Sequence, residues 1–442
     1  MKINGEFKGT AGKGTSMSTI VEGPRGNCAL GGANAVLSAI NRVIPIYHSG
    51  PGCCMQTTAG EADQAGLRTP FYVSGVSIPC TNMLERDVVF GGVERLRETI
   101  EGAVEILDAD AFFVLTGCTA GIIGDDIASV TDEFAERGLP VYPIESPGFL
   151  GESYRGYEIA FKALLKYIVK PSSRQENLVN LFGIMPYHDP FWEGNLEELT
   201  RILEKLGLKV NTFFTQHQGL EEVRHSSGAA LNIIVSPWLL KSAAEEYESR
   251  FGVPTLRWPG LPVGASDTSA FVRAVAKTLG IEEIGEKVIA EEEDYVYSYL
   301  ETAIGVVSWK KFAVVGDAST VVGVTRFLAN DFSFSPVISI ITDPIFRPED
   351  VERINTQITN LDYARPPKIA FESDHWKIKK QLEEYPDITL LVGSSRDREY
   401  ALEHDIQCCA VAYPITDRLI FNRTYAGYRG SLTFIEDLYD NL

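Results

Sequence analysis

Apolar runs and amphipathic stretches alternate along most of this chain. "RVIPIYHSG" (42–50) is an apolar run closing on polar and glycine positions, the pattern of a buried strand feeding a turn. "VERLRETIEGAVEILD" (93–108) spaces its apolar residues for one face of a helix. "AFFVLTGCTAGIIGDDIASVTDEFAERG" (111–138) reads as strand, turn and helix, "PVYPIES" (140–146) as the next strand and "YRGYEIAFKALLKYIV" (154–169) as the next helix. The alternation resumes with "LVNLFGIM", "LEELTRILEKLG", "KVNTFFT", "LNIIVS" and "WLLKSAAEEYESRFG". It starts again at "KKFAVVGDASTVVGVTRFLAN" (310–330) and runs through "SPVISIITD" (335–343) and "DITLLVGSS" (387–395) to "IQCCAVAYPI" (406–415). Strands joined through helices predict mainly parallel sheets covered on both faces. The expected fold class is therefore α/β, with three doubly wound, Rossmann-like units. The polar stretch "KPSSRQEN" (170–177) marks the first boundary, giving expected domains at 1–172, 173–305 and 306–442, the last with a C-terminal helix. A chain of 442 residues is in any case too long for one ordinary core.

Charge narrows the class of partner. Sixty acidic residues against 40 basic ones give a formal net charge of −20, which argues against binding a phosphate backbone. It suits solubility, or docking to a basic protein face. No apolar stretch reaches the ~20 residues that span a bilayer, so no membrane partner is expected. The opening "MKINGEFKGTAGKGTSMSTI" has no hydrophobic core of a secretory signal, so the expected location is the cytoplasm. Seven cysteines are too sparse, and odd in number, for a disulfide framework. Each thiol is then either core filler or chemistry.

Three thiols stand out by position. In doubly wound sheets ligands bind beyond the carboxyl ends of strands. "YHSGPGCC" and "VLTGCTAG" are strand-end turns of that kind, and "EGPRGNCALGGANAV" (22–36) puts Cys28 at a Gly-rich turn before a small-residue helix. Cys28, Cys53 and Cys118 thus share one setting: a Gly-rich turn at an element terminus in the first unit. Thiolates among free backbone N–H groups suit iron–sulfur clusters. A cluster normally takes four or more protein ligands, so three in one chain point to a second subunit completing the site. Taken alone, three separated cysteines leave packing open as their role.

The other candidates receive plainer readings. Cys54 is a neighbour or an alternative ligand, with Cys53 preferred. Cys408 and Cys409 fall on a predicted buried strand, pointing to opposite faces as core filler. Cys80 precedes a polar loop and reads as core filler, with a place beside the cluster as the alternative. His48 is expected to hydrogen-bond the cysteine turn rather than ligate metal, and His188, His217, His225, His375 and His404 show no metal spacing. "VVGDASTVVG" (314–323) lacks both the Gly-Lys-Ser/Thr of a P-loop and the dinucleotide fingerprint, and reads as a tight strand–helix turn. Asp125 and Asp126 are expected in the first turn of a helix, where its dipole favours carboxylates. No Ser/His/Asp triad is arguable.

Taken in order, "EGPRGNCALGGANAV", "HSGPGCC", "ERDVVFGGVERL" (85–96), "TGCTAGIIGDDI" (116–127) and "ESPGFLGESYRGYEIAF" (145–161) resemble the component 1 subunits of nitrogenase and its relatives. The likeness extends through "SPWLLKSAAEEYESRFGVP" (236–254) to the ending "AYPITDRLIFNRTYAGYRGSLTFIEDLYD" (412–440). In that family three cysteines at these places hold half of an iron–sulfur cluster shared between two homologous subunits. The resemblance implies that Cys28, Cys53 and Cys118 are the ligands here, and their spacings of 25 and 65 residues are of the family's kind. The alpha type also holds an active-site metallocluster through a cysteine before a long helix and a histidine near the C-terminus. The matching position here is Ser236, and "PITDRLIFNRTYAGYRG" offers Asp417 and Asn422 but no histidine. This ending and "SPGFLGESYRGYEIAF" look like the beta type, while "ERDVVFGG" is closer to alpha forms.

What the resemblance implies is a beta-like subunit of a nitrogenase-type oxidoreductase, with no catalytic residues of its own. Its cluster, an 8Fe–7S P-cluster or a 4Fe–4S cluster shared with an alpha-like subunit, would relay electrons from an ATP-dependent iron protein. The assembly would be a heterotetramer, with the isolated chain inactive. The alternatives are a scaffold subunit on which a nitrogenase metallocluster is assembled, or a subunit of a related reductase acting on a thioether or a tetrapyrrole.

Overall fold

The computed structural model describes residues 21–67, 78–303, 307, 309–345 and 347–440. The opening stretch 1–20 lies outside the described residues, as do parts of the expected boundary near 305.

Three parallel sheets carry the described strands. The first consists of Val43–His48 (β1), Ala111–Thr116 (β2) and Val141–Ile144 (β3), in the order β1-β2-β3. The second consists of Gln175–Phe182 (β4), Lys209–Asn211 (β5), Ala229–Val235 (β6) and Thr255–Trp258 (β7), in the order β5-β4-β6-β7. The third consists of Lys311–Gly316 (β8), Ser335–Ile341 (β9), Lys368–Phe371 (β10), Leu390–Gly393 (β11) and Gln407–Ala410 (β12), in the order β10-β9-β8-β11-β12. Strand order reverses between β4 and β6 and again between β8 and β11, as in doubly wound sheets. The α/β class with parallel sheets is thus as the hydrophobic pattern predicts. β2 and β6 are buried at every position and almost wholly apolar, as strands covered on both faces must be.

Register sets the geometry of the first sheet. β1 and β2 pair from Val43 opposite Ala111 to His48 opposite Thr116, so both strands end level. The loops that follow them start from one edge. Behind this edge the Ala29–Ala39 helix lies against the Ser153–Tyr167 helix. Glycines make the approach close: a Cβ on Gly32 would lie 1.8 Å from the Ser153 carbonyl oxygen, and one on Gly156 would lie 1.9 Å from that of Ala29. Backbone packs on backbone here, which explains the small residues of "GGANAV".

Two local expectations change. Residues 170–177 are not a free tether: β4 begins at Gln175, the Lys170 N–H donates to the Arg224 carbonyl, and the Arg174 guanidinium donates to the Ala230 carbonyl. Their polar side chains serve an exposed strand start as well as they would a linker. The C-terminal helix Gly427–Tyr439 packs mainly on the Trp192–Lys205, Gly264–Leu279 and Glu282–Ala303 helices, which flank the second sheet. Asn195 fastens the turn before it, its Oδ1 accepting from the Tyr425 and Ala426 N–H groups.

Candidate functional site

Each of the three singled-out cysteines stands at the start of a helix. Cys28 is the N-cap residue of Ala29–Ala39, and Cys118 opens the short helix Cys118–Ile123 directly after β2. Cys53 is the third residue of the helix Pro51–Gln64. The expected Gly-Pro-Gly turn at this place is therefore a helix start, because proline at the first helical position lacks only an N–H that would have no partner anyway. The orphan N–H groups of a helix start favour a thiolate nearby.

The thiols of Cys28 and Cys118 both pack against Gly148. A Cβ on Gly148 would lie 2.9 Å from the Cys28 sulfur and 3.1 Å from the Cys118 sulfur. Gly148 opens a short helical turn, Gly148–Leu150, in "SPGFLG". Cys28 is fixed against the same segment, since the Ala29 N–H donates to the Gly151 carbonyl and the Ser153 N–H to the Asn27 carbonyl. Cys53 is near both, and its thiol is pushed up by burial, then by Cys118, Cys28 and Cys80. Among the described residues no three His, Cys, Asp or Glu converge closely enough to hold one metal ion. A single tetrahedral ion with sulfur ligands at ~2.3 Å would draw the sulfurs to within roughly 4 Å of one another. An all-thiol set at helix starts instead fits the broader body of an iron–sulfur cluster.

Two further thiols lie beside this set. Residues 79–83 run alongside the end of β1: the Tyr47 N–H donates to the Pro79 carbonyl, the Thr81 N–H to Tyr47 and the Met83 N–H to Ser49. Cys80 is thereby brought to the edge where β1 and β2 end. Its sulfur accepts from the Asn82 N–H at 3.4 Å and lies 3.6 Å from the Ser49 carbonyl oxygen. A hydrogen bond from Cys54, with help from Asn82, holds the Cys80 thiol down at about 6 against the effect of burial. The same bond pushes Cys54 up. Cys80 is hard to place in this group from its local residues, since only tertiary pairing with β1 brings it there.

His48 is buried at the end of β1. Its Nε2 is 2.8 Å from Asp125 Oδ2 and its Nδ1 3.3 Å from Thr81 Oγ1. Burial holds the imidazole below its usual range despite Asp125. It supports the cysteine loops and faces no thiol in these contacts. Asp126 caps the helix Ile127–Glu136, accepting from the Ser129 N–H as expected. Asp125 does not. It turns inward to His48 and to the Gly92 N–H, because that buried imidazole and amide have no other acceptor as near.

The remaining sequence candidates fall elsewhere. Cys408 and Cys409 on β12 pack into different hydrophobic clusters, on opposite faces, and burial pushes both thiols up to about 12. Ser236 is fully buried, and its Oγ accepts from the Trp238 and Leu239 N–H groups, closing the turn after β6. At the "VVGDASTVVG" turn the Asp317 carboxylate accepts from the Ser319 and Thr320 N–H groups, so the amides that would hold a phosphate are taken. His188 is enclosed with Tyr154, whose hydroxyl is 2.6 Å from His188 Nε2 and donates to Asp343 at 2.7 Å. Burial lowers His188 to about 4 and raises Asp343 to about 7. No helix among the described residues is long and apolar enough to cross a membrane.

The thiol edge is flanked by apolar side chains open to water. Phe90 is 87% exposed and Ile122 74% exposed, and Val89, Phe149 and Met55 are also exposed. The Glu85–Phe90 and Cys118–Ile123 helices touch, and the Phe149 ring reaches Gly121. Grouped apolar exposure of this kind marks an interaction surface.

Comparison with known proteins agrees with this geometry. The family model described as "Nitrogenase component 1 type Oxidoreductase" matches residues 28–442. Among similar proteins, the nitrogenase vanadium-iron protein beta chain of Trichormus variabilis is 23% identical, over 91% of this chain and 90% of its own. The nitrogenase iron-molybdenum cofactor biosynthesis protein NifE of Clostridium pasteurianum is 28% identical, over 93% of this chain and 86% of its own. A solved structure titled "Nitrogenase Cp1 at pH 6.5" shares the fold with a TM-score of 0.79 at 16% identity, covering 97% of this chain and 94% of that one.

Proposed function

The chain belongs to the nitrogenase component 1 type oxidoreductases, and from that premise we propose that it is the beta-like subunit of such a complex. In this reading Cys28, Cys53 and Cys118 hold one half of an iron–sulfur cluster, of the 8Fe–7S or 4Fe–4S type. The single observation that carries it is the pair of sulfurs, from Cys28 and Cys118, brought together against Gly148 on an edge flanked by exposed apolar residues. A cluster at a subunit boundary needs a partner surface there, and Phe90, Ile122 and Phe149 supply the apolar part of one. When bound, the group would supply one-electron storage and transfer. The residues of this chain would anchor it, exclude water and order the loops through His48 and Asp125.

An alpha-like paralogue is the partner that fits, in a heterotetramer served by an ATP-dependent iron protein. The active-site metallocluster would belong to that paralogue. Here Ser236 spends its hydroxyl on backbone amides, and a neutral oxygen is a poor ligand for a sulfur-rich cluster. The isolated chain accordingly reduces no substrate. A second reading, an assembly scaffold, is supported by the likeness to the cofactor biosynthesis protein. The deciding experiment is anaerobic purification with the co-encoded paralogue, followed by iron quantification and EPR. Iron bound at the interface together with substrate reduction supports the enzyme. Iron with a transferable metallocluster and no turnover supports the scaffold, and a complex without iron overturns both.

A further inference from the structure

We propose that Cys80 is a fourth thiolate ligand of the cluster site, contributed by this chain in addition to Cys28, Cys53 and Cys118. The inference rests on the reading of those three as cluster ligands. Its grounds are the placement of residues 79–83. Backbone bonds to Tyr47 and Ser49 lay this segment along β1, so that Cys80 arrives at the same edge as Cys53 and Cys118. Its sulfur is 3.6 Å from the carbonyl oxygen of Ser49. The Ser49 side chain in turn touches Gly117, the residue before Cys118: a Cβ on Gly117 would lie 2.4 Å from that of Ser49. The Gly117 N–H donates to the His48 carbonyl, which ties the Cys80 and Cys118 loops into one unit.

The environment of this sulfur is that of a ligand rather than of core filler. It accepts a backbone N–H, from Asn82, as cluster thiolates do. It is partly open to solvent, as are Cys28, Cys53 and Cys118. Four thiols from one chain are the complement a 4Fe–4S cluster requires. In the assembled complex the same fourth thiolate would make this half of a shared cluster richer in sulfur ligands than three cysteines allow.

The test is anaerobic reconstitution of the full chain with ferrous iron and sulfide, for the wild type and for Cys80→Ser, Cys80→Ala, Cys53→Ala and Cys408→Ala. The readouts are iron per chain, the EPR spectrum after reduction, and the rate of iron loss to a chelator. The wild type and Cys408→Ala are expected to hold about four irons per chain. Cys80→Ser keeps a group that can bond Ser49 and Asn82, so a packing role would leave it like the wild type. As a lost thiolate it should instead shift the EPR signal and release iron at least tenfold faster, as should Cys80→Ala. Cys80 variants matching the wild type in all three readouts, while Cys53→Ala loses iron, would overturn this assignment alone. No iron on the wild-type chain would overturn Cys80 as a fourth ligand completing a site within this chain, and iron indifferent to Cys53 would remove the underlying reading with it.

Discussion

Arg25 grips Asp397 from 372 residues away, with Nη2 2.5 Å from Oδ1 and Nη1 2.8 Å from Oδ2, both side chains buried. Asp397 stands just beyond the end of β11, and Arg25 stands three residues before Cys28. The loop that carries Cys28 is thus fastened to the third sheet. Ser394 Oγ and His375 Nδ1 accept the remaining hydrogen bonds of this guanidinium's two Nη groups.

Breaking that pair on one side leaves a buried, unpaired charge. Asp397→Asn should cost about 3–5 kcal/mol of stability, read from urea unfolding at neutral pH. It should also raise the alkylation rate of Cys28 relative to Cys118 in the metal-free chain. An unchanged midpoint would show that the pair is not stabilising.

Gly148→Ala tests the seat of the two sulfurs. The backbone at Gly148 is not left-handed, so alanine meets no conformational strain there. Its methyl would press on both Cys28 and Cys118. Circular dichroism and the melting temperature should stay near wild type while iron per complex falls to a small fraction. Full iron occupancy in this variant would show that iron binding does not depend on how these two sulfurs are seated.

The cysteines themselves should divide into two groups. Cys53→Ala or Cys118→Ala should strip iron from the purified complex, since an open iron site admits water. Cys408→Ala and Cys409→Ala, on β12, should leave iron content alone. Equal iron in all four variants would refute the ligand assignment.

The buried His188 predicts a pH dependence with a definite sign. Its folded value, about 4, is below the usual 6.5, so the folded chain favours the neutral ring. This contribution is complete above the unfolded value and is lost as pH falls from about 6.5 to about 4, roughly 3 kcal/mol in all. Asp189 and Asp343, both raised to about 7 by burial, act oppositely and gain on acidification. His188→Phe keeps an aromatic ring beside Tyr413 but cannot be protonated. Urea midpoints should show the variant gaining on the wild type as pH falls across that window. A constant difference would locate the titration elsewhere.

Ser236→Cys should add no iron and confer no turnover on the isolated chain. The hydroxyl it replaces closes a turn through two backbone N–H groups, so the cost should be about 1 kcal/mol. Iron gained by this variant over the wild type would contradict the beta-like reading.

Much of this arrangement was legible in the chain. The parallel sheets follow from apolar runs such as "AFFVLT" separated by helical spacing, and the opposite faces of Cys408 and Cys409 follow from strand alternation. Cys28 and Cys118 were placed at helix starts by their glycines. Long-range contacts were not legible. Nothing local in "IIGDDI" tells that Asp125 turns to His48 while Asp126 caps a helix. Nothing around Cys80 announces that residues 79–83 pair with β1. The approach of Gly148 to two sulfurs depends on three segments far apart in sequence.

The seats of Gly32 on Ser153 and of Gly156 on Ala29 would bear on the speed of electron exchange. With no side chain on either glycine, the helix behind Cys28 meets its neighbour backbone to backbone at these two points. Such a seat has no rotamers to change and little room to yield. Charge transfer at a centre anchored there would involve small nuclear displacements of the protein, and hence a low reorganisation energy. Alanine at either glycine would do more than destabilise the pair: by loosening the seat it would slow the transfer itself.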